Sequence, residues 1–506
     1  MKKLFAAVLL IVLAALPAAS FADAAALIPP YHWTYHALAD LAANRLIDEP
    51  VEPGKSAFTP EQVVSLTLFA MNRVQTDTQK LREPELQNLR QLVNGYRADF
   101  EKAGQKPDKL LADLDGFAAQ AGLPPLAANS PESRKLSEAA ADSVNRFTFD
   151  LYKNLAARKG SLFISPYSVS SALSMTYAGA RGKTAVEMEK VLHITPDVHR
   201  QMASLVSSLN SVPSSSAVVS TANALWPAKG SKLLPEFVQT VRESYGAGLE
   251  ALDYKASPAK AAGVINSWVA QHTRGKIDNI VSPAALGPGT PLVLTNAVYF
   301  KSGWQHEFSA NDTYAQPFWT TPSKSVKLPT MHLEGSFKYA KLSGAAMAEL
   351  SYTDNRFSML VLLPDRKKDL AELERRLTAE NFAKWTSSLA SARLDLSLPK
   401  FRSEASFDLS KLLSGLGMPS AFGGGADFTG MDGTGGMFIG SVLHKTFVDV
   451  AEKGTEAAAA TAVIMLTSAA PAPIRSVEFH ADRPFIYLIR DNDSGAILFI
   501  GRYTGK

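Results

Sequence analysis

The sequence predicts an α+β fold in which a large mixed domain follows a small helical module. In the large domain, runs rich in β-branched residues alternate with runs of helical spacing. Examples are LVLTNAVYF (292–300), FSMLVLLP (357–364), AADSVNRFTFDLYKNL (140–155) and AVEMEKVL (185–192). The proline-containing stretch GLPPLAANSPES precedes them and has the composition of a linker. We therefore predict a helical module at 23–121, a linker at 122–136 and the mixed domain at 137–506.

The first residues of the chain have the pattern of a secretory signal. Two lysines precede an apolar run from Leu4 to Leu16, and small residues at signal-peptidase spacing end at Ala22. The run is shorter than the roughly 20 apolar residues that span a bilayer, which favours cleavage over an uncleaved membrane anchor. We therefore predict a signal peptide at 1–22, a secreted protein, and no membrane span after cleavage.

Charge and cysteine content exclude several classes of function. Removing two signal lysines changes the balance of 52 basic and 48 acidic residues to 50 against 48. This balance argues against a nucleic-acid partner, which needs a concentrated basic face. The chain has no cysteine, so disulfides, thiolate metal sites and a cysteine nucleophile are excluded. A secreted chain without disulfides depends on its hydrophobic core.

The beginning of the helical module predicts two short helices joined by a turn. The first is marked by apolar residues at helical spacing: Tyr35, Leu38, Leu41 and Ala42. For the second, Thr59, Pro60 and Gln62 supply an N-cap, a first-turn proline and a capping-box partner.

A further amphipathic stripe follows at spacings of three and four residues: Leu86, Leu89, Val93, Tyr96 and Phe100. It predicts one helix that belongs either to a packed helical hairpin or to a short oligomerising coiled coil. His32 and His36 stand four residues apart and could share a metal on a helix face. With no third ligand nearby, we predict no metal site.

The helical module resembles an S-layer homology module, a unit that associates with cell-wall material. The resemblance rests on residues in matching places: His32, Trp33, Tyr35, Phe58 and Pro60. Thr34 stands where the family usually has a small residue, and one copy of the motif is visible. The resemblance implies a cell-wall polymer as a partner and a protein that is extracellular, or periplasmic and associated with the cell envelope.

One short motif in the large domain suggests a hydrolase. SLPK at 397–400 fits the Ser-x-x-Lys pattern, whose chemistry needs the serine at the start of a helix and the lysine one turn later. Here Leu394, Leu396 and Leu398 alternate as in a strand. The pattern therefore disfavours Ser397 as a nucleophile, and we predict no enzyme.

Six separated stretches of the large domain agree on a single family. They are FISPYSVSSALSMTYAGARGKTAVEM (163–188), NALW (223–226), INSWVAQHTRGKI (265–277), LVLTNAVYFKSGWQHEF (292–308), LHKTFVDVAEKGTEAAAATA (443–462) and ADRPFIYLIRDNDSGAILFIGR (481–502). Each resembles a motif of the serpins, inhibitors of serine proteases, and they occur in the family's order. The resemblance implies three β-sheets, about nine helices, an exposed reactive loop at about 452–475, and no cofactor.

In the serpins a protease cleaves this loop and is trapped as an acyl-enzyme when the loop inserts into the main sheet. The hinge by this resemblance comprises Glu452, Gly454, Thr455, Glu456, Ala457, Ala458, Ala459 and Ala460. Strand alternation places uncharged residues on the face that becomes buried: Thr455, Ala457, Ala459, Thr461 and Val463. Because no bulky, charged or proline residue spoils this face, the sequence favours an inhibitor over a non-inhibitory serpin with a binding or envelope-associated role.

The resemblance also assigns residues that control loop insertion. Trp304 matches the tryptophan near the point where the loop first enters the sheet. A polar cluster beneath the strands that must part is matched by Ser165, Ser168, Asn296 and His444. Two other interpretations of these residues stay open: a hydrolase pair formed by Ser165 and His444, and a core histidine without a role in opening.

The scissile bond sets the target protease. In the family it usually follows the seventeenth residue counted from the hinge glutamate, which predicts the bond between Ser468 and Ala469, with Leu466 and Thr467 as alternatives. A small residue suits an elastase-like protease, whereas Leu466 or Met465 suits a chymotrypsin-like or subtilisin-like one. From Glu456 through Ile474 the loop has no basic residue, so a trypsin-like target, which would need cleavage at Arg475, is disfavoured.

Overall fold

The computed structural model describes residues 28, 33–52, 56–78, 81–121, 131–210, 217–273, 275–365, 369–455 and 476–505. The predicted signal peptide and most of the reactive loop therefore lie outside the described residues. The chain forms two compact units, Met1–Leu126 and Ala127–Lys506, which are described separately. None of the helices in these described ranges is both long enough and apolar enough to cross a membrane.

The amino-terminal unit is helical in its described residues. Its helices are α1 Trp33–Ala43, α2 Pro60–Thr76, α3 Glu83–Gly95, α4 Arg97–Lys102 and α5 Pro107–Gln120. At the start of α2 the Gln62 side chain accepts a hydrogen bond from the Thr59 N–H at 2.8 Å, as the capping box predicts. Tyr35 is buried, and its ring stacks on Phe58 at 5.7 Å between centroids. Tyr35 and Phe58 therefore contribute to the core of this unit.

The prediction of one continuous helix through the apolar stripe is wrong. Helix α3 ends at Gly95 and α4 begins at Arg97, because Tyr96 has the non-helical angles φ −115° and ψ 27°. Glycine has low helix propensity, and the break lets the Tyr96 hydroxyl reach the Thr34 hydroxyl at 2.8 Å. All five stripe residues are buried in the core of the unit. The stripe is therefore a packing surface within the unit, not an exposed seam.

The second unit contains most of the helices and all fifteen strands of the described residues. The helices are α6 Pro131–Leu155, α7 Pro166–Tyr177, α8 Gly182–Leu192, α9 Val198–Asn210, α10 Pro235–Tyr245, α11 Pro258–His272, α12 Leu370–Arg376, α13 Ala379–Ser387, α14 Ser410–Leu416 and the four-residue α15 Thr429–Asp432. The predicted linker at 122–136 is too long at its end, because α6 already begins at Pro131. Proline suits the first position of a helix, where its missing N–H costs nothing.

The strands of the second unit form two sheets. They are β1 Leu162–Ile164, β2 Ala217–Pro227, β3 Gly248–Leu249, β4 Leu292–Gly303, β5 Thr313–Thr321, β6 Lys324–Leu342, β7 Ala345–Ser351, β8 Phe357–Pro364, β9 Ala390–Pro399, β10 Phe401–Asp408, β11 Ser441–Ala451, β12 Gly454–Thr455, β13 Val477–His480, β14 Phe485–Asp491 and β15 Ile497–Tyr503. The first sheet has six strands in the order β10-β11-β12-β4-β2-β3.

The second sheet has nine strands, and it joins two of the three sheets that the sequence resemblance implied. Its order is β1-β15-β14-β8-β7-β6-β9-β13, and β5 also pairs with β6. Strand β6 is 19 residues long; its first part pairs with β5 and its last part with β7. Because hydrogen bonding continues along β6, the two groups of strands form one sheet in the described residues.

Strand β4 lies in the middle of the six-stranded sheet and is buried on both faces. Residues 292–300 are all buried. Leu294 and Val298 belong to the main hydrophobic core, whereas Val293 and Ala297 pack in a second core with Trp268 of α11. Coverage of both faces explains why this strand reads as a continuous apolar run and not as an alternating one.

Candidate functional site

The two hinge residues of β12 lie inside the six-stranded sheet. Thr455 pairs with Val450 of β11 on one side and with Ser302 of β4 on the other, and both pairings are antiparallel. Gly454 pairs in the same way with Ala451 and Gly303. The first two residues of the predicted insertion segment therefore already occupy a position between two strands.

Beyond this short insert, β11 and β4 pair directly with each other. Six parallel residue pairs connect them, from Ser441–Val293 to Thr446–Val298. The two strands are therefore hydrogen-bonded along one part of their length and separated by β12 at the other end. We call the directly paired part, 441–446 with 293–298, the seam. A longer insert between the strands would have to open this seam.

The backbone at the hinge requires glycine. Gly454 has φ +142°, a conformation that residues with a side chain rarely adopt. A Cβ atom there would lie 2.2 Å from the Ser302 carbonyl oxygen and 2.7 Å from the Gly303 Cα. Both contacts are far below van der Waals distance and involve backbone atoms that cannot rotate away. Only glycine fits between β11 and β4 at this position.

Thr455 is fully buried and its hydroxyl has one partner. The Thr455 Oγ1 lies 2.6 Å from the Tyr352 hydroxyl oxygen. The Tyr352 ring stacks on Trp304 at 4.5 Å with an interplanar angle of 9°. Trp304, in turn, donates from its indole N–H to the Ala451 carbonyl at 2.9 Å. Trp304 therefore lies at the start of the insert, where its motif predicts it; Tyr352 had no motif to reveal it.

A salt bridge holds the residue at which the hinge begins. The Lys400 ammonium lies 2.9 Å from a carboxylate oxygen of Glu452. Partial burial acts to raise the pKa of Glu452, but the hydrogen bond from Lys400, a backbone hydrogen bond and the positive charge of Lys400 together keep that pKa below its usual value. Lys400 belongs to the SLPK segment that suggested a hydrolase. The structure assigns it an electrostatic role at the hinge, and no local signal in the sequence pairs it with Glu452.

Replacing Lys400 by methionine is expected to lower the free energy of unfolding by roughly 1 kcal/mol, because it leaves Glu452 partly buried without a cation. The loss is no larger because solvent partly screens the Lys400 charge. Thermal denaturation of the uncleaved protein should show the loss as a lower Tm. In a Glu452→Gln background, the same lysine substitution should lower the Tm much less. An equal loss in both backgrounds would show that the two charges are not coupled.

The four predicted polar residues meet at the seam. The Ser165 backbone N–H donates to His444 Nε2 at 3.0 Å, and the Ser165 hydroxyl donates to the Leu498 carbonyl at 2.7 Å. The His444 Nδ1 contacts the Asn296 side-chain oxygen. The Ser168 hydroxyl donates a hydrogen bond to the side-chain oxygen of Asn223 at 2.9 Å. The cluster therefore connects the first turn of α7 to the strands beneath it.

Asn223 completes this cluster and was not singled out from the sequence. Its side-chain oxygen also accepts from the Asn296 amide at 2.7 Å. Asn223 pairs with Asn296 across β2 and β4, and Asn296 pairs with His444 across β4 and β11. The three side chains therefore form a row across three adjacent strands and bridge the seam. Asn223 is the first residue of the NALW motif, which was the available signal.

His444 is neutral in this arrangement. Its Nε2 accepts from a backbone N–H, so the proton is on Nδ1, which donates to Asn296. Burial lowers the pKa of His444 to about 3. The N-terminus of α7, which Ser165 caps, also disfavours a positive charge nearby.

The same contacts argue against a Ser165–His444 hydrolase pair. His444 receives the Ser165 backbone N–H, while the Ser165 hydroxyl is directed to a carbonyl oxygen. A nucleophile needs its hydroxyl proton aimed at the base. Ser397 is 2% exposed and lies within strand β9, two residues before its end, without the helix start that its motif requires.

Several predicted site residues lie outside the described residues. These are the hinge residues Glu456, Ala457, Ala458, Ala459 and Ala460 and the candidate reactive-bond residues Leu466, Thr467, Ser468 and Ala469. His32 is outside them as well. Within the described residues, no group of three or more histidine, cysteine, aspartate or glutamate side chains is arranged to hold a metal ion.

Comparison with known proteins gives a consistent result for the second unit. A family model described as serpin (serine protease inhibitor) matches residues 142–505. A serpin-like protein of Thermococcus kodakarensis is 41% identical over 367 residues, which cover 71% of this chain and 84% of that protein. A leukocyte elastase inhibitor of Xenopus laevis is 38% identical over 378 residues, which cover 72% of this chain and 99% of that inhibitor. The solved structure of human thyroxine-binding globulin with thyroxine superposes on this chain with a TM-score of 0.66 at 27% identity. The match covers 73% of this chain and 99% of that structure.

Proposed function

Because the chain belongs to the serpin family, we propose that it is a secreted suicide inhibitor of an elastase-like, chymotrypsin-like or subtilisin-like serine protease. The observation that carries the proposal is the position of Gly454 and Thr455 between β11 and β4. A longer strand that continued from Thr455 would run antiparallel to both β11 and β4. The predicted scissile bond, Ser468–Ala469, stays part of the proposal.

The inhibitory step follows from strand pairing. The protease serine attacks the carbonyl of the residue before the scissile bond, the amide breaks, and the protease is held as an ester on the amino-terminal part of the loop. Residues after Thr455 then extend β12, antiparallel to both neighbours, and separate the six parallel pairs of the seam. The inserted strand gains hydrogen bonds to both neighbours, through alternate residues, and antiparallel pairing is slightly more stable than the parallel pairing it replaces.

The composition of the loop supports this step. From Ala457 through Ile474 the chain carries no charged side chain. A charged side chain inserted on the buried face would lose its hydration without a partner, at a large cost. Small and β-branched residues can be solvated before cleavage and fit a central strand after it. This dual suitability explains why the segment combines alanine, threonine and valine.

The proposed target rests on the residues near the bond and on a relative. Ser468 and Ala469 are small and suit a narrow specificity pocket, whereas Leu466 suits a wider apolar one. One of the similar proteins is named a leukocyte elastase inhibitor. Trypsin-like proteases are poor candidates because the first basic residue after Glu456 is Arg475.

A denaturing gel tests the proposal directly. The purified protein is mixed separately with pancreatic elastase, chymotrypsin, subtilisin and trypsin. We expect a band at the summed mass that survives boiling for at least one of the first three, and cleavage without such a band for trypsin. The mass of the released carboxyl-terminal peptide identifies the scissile bond. Cleavage in the loop without a stable complex for every protease would contradict the proposal.

The second candidate is a non-inhibitory serpin with a binding role. It is favoured by the similarity to thyroxine-binding globulin, whose structure contains thyroxine, and by the additional helical unit before the serpin domain. Melting of the loop-cleaved protein separates the candidates. A large increase in Tm shows that the loop has inserted, whereas an unchanged Tm favours the binding role.

For the amino-terminal unit we propose association with cell-wall polymer, on the basis of its S-layer-like residues. The full chain without its signal should co-sediment with purified cell envelope, and a chain beginning at Ala127 should not. Equal sedimentation of both would remove the support for this association.

A further inference from the structure

We propose that the hydroxyl of Tyr352 is a latch that holds Thr455 in the sheet and thereby limits how far the reactive loop extends toward a protease. Tyr352 lies immediately after β7, in the body of the second unit. It matches no motif, and no part of the inhibitory step described above uses it. The proposal adds a positioning residue to the proposed function and depends on that function only for its effect on inhibition.

The Tyr352 side chain is a rigid support. Besides stacking on Trp304, its ring makes an edge contact with Phe300 at 5.0 Å between centroids. Its backbone N–H donates to the Phe357 carbonyl at 2.9 Å, which fixes it to the start of β8. The side chain is fully buried. Its hydroxyl therefore has a fixed position relative to the insert.

Thr455 needs a hydrogen-bond partner only while it is in the sheet. When it is buried between β11 and β4, water cannot reach its hydroxyl, and the Tyr352 hydroxyl at 2.6 Å satisfies it. When the hinge is expelled, water supplies the hydrogen bonds. The Tyr352 hydroxyl therefore stabilises the inserted hinge and not the expelled one. One such hydrogen bond corresponds to roughly a tenfold change in the equilibrium between the two positions.

A single hydrogen bond can matter because the insert is short. Strand β12 has two residues, each with one paired residue on either side. In the sequence, 20 residues, 456–475, connect Thr455 to Ser476. Expelling Gly454 and Thr455 adds two residues, or about 7 Å of reach. The latch therefore shortens the loop that a protease can engage.

Hydrogen exchange on the uncleaved protein, without any protease, tests the latch. Tyr352→Phe keeps the ring and its stacking on Trp304 but removes the hydroxyl. We expect exchange in the peptide that contains Gly454 and Thr455 to become roughly ten times faster, with other strands unchanged. In a Thr455→Val background, Tyr352→Phe should have no further effect, because the hydroxyl pair is already broken.

Tyr152→Phe is the matched control. Tyr152 is 1% exposed, and its hydroxyl donates to Glu374 at 2.8 Å, away from the hinge. It should leave hinge exchange at the wild-type rate. The latch is overturned if Tyr352→Phe leaves hinge exchange at the wild-type rate, as Tyr152→Phe should. It is also overturned if Tyr352→Phe accelerates hinge exchange equally in the wild-type and Thr455→Val backgrounds.

The same variants separate the latch from the proposed function. With a protease that forms the covalent complex, Tyr352→Phe should raise the association rate constant severalfold, and Tyr152→Phe should not. If no protease forms a complex but hinge exchange responds as expected, the latch holds and the inhibitory function fails. If complexes form at an unchanged rate and hinge exchange is unchanged, the inhibitory function holds and the latch fails.

Discussion

Thr455→Arg is expected to convert the protein from an inhibitor into a substrate of its target protease. Thr455 is fully buried between β11 and β4, with its side chain against Tyr352. An arginine there would place an unpaired guanidinium in this site or keep the hinge out of the sheet. Removing a charge from water without a partner costs several kcal/mol, so insertion should become slower than hydrolysis of the acyl-enzyme.

The measurement is the number of inhibitor molecules consumed for each protease molecule trapped, together with the covalent band on a denaturing gel. For Thr455→Arg we expect the band to disappear and the loop to be cleaved with full turnover. Glu456→Arg is the control, because strand alternation predicts that residue 456 points away from the buried face. Normal trapping by Thr455→Arg would refute insertion between β11 and β4 as the inhibitory step.

Acid is expected to destabilise the uncleaved protein, and His444 is expected to cause a measurable part of the loss. Burial lowers the pKa of His444 to about 3, whereas a histidine in the unfolded chain titrates near 6.5. Between these values the unfolded chain binds a proton that the folded protein does not. The free energy of unfolding therefore falls by up to about 1.4 kcal/mol for each pH unit below about 6.5, until the pH approaches 3. Above about pH 7 this histidine contributes no pH dependence.

Chemical denaturation at pH values from 4.5 to 7.5 tests this expectation. Burial also lowers the pKa of His199, His272 and His332, so some acid sensitivity will remain in every variant. The readout is thus the slope of the free energy of unfolding against pH, compared between the wild type and His444→Gln. This slope should be smaller for His444→Gln. His306→Gln, at an exposed position, is the control. Parallel profiles for the wild type and His444→Gln would show that the buried histidine does not control acid stability.

Two groups of side chains contact different parts of the same pair of strands. Tyr352 and Lys400 act on the inserted hinge, whereas His444, Asn296 and Asn223 bridge the seam that a longer insert must open. Complete insertion would have to disrupt the contacts of the second group. If the loop inserts as proposed, the polar contacts that stabilise the uncleaved protein at the seam also oppose insertion.

Local sequence patterns predict much of the fold. The central strands could be predicted because β4 and β8 are continuous apolar runs buried on both faces. The capping box at Thr59 is a local signal, and its contacts formed as expected. Ordered motifs identified the family, which the family model and the relatives confirm. Where the motifs matched residue by residue, they also indicated the cluster around His444.

The sequence was less informative wherever the outcome depended on distant residues. A stripe from Leu86 to Phe100 reads as one helix, but the Tyr96 hydroxyl pairs with Thr34, 62 positions away, and the helix is interrupted. Strand β6 also pairs with β9, from Thr330–Pro399 to Tyr339–Ala390, and no local pattern selects these partners, which are more than 50 positions apart in the chain.

The amino-acid sequence by itself determined that this protein has a serpin domain and a glycine-containing hinge with one uncharged face, because those features are carried by consecutive residues. Only the tertiary structure decided that Lys400 pairs with Glu452, that Asn223 completes the polar row, and that Tyr352 contacts Thr455. These pairs are separated by 52, 73 and 103 residues along the chain. Their partners are selected by strand register and by the burial of polar groups, which no local pattern encodes.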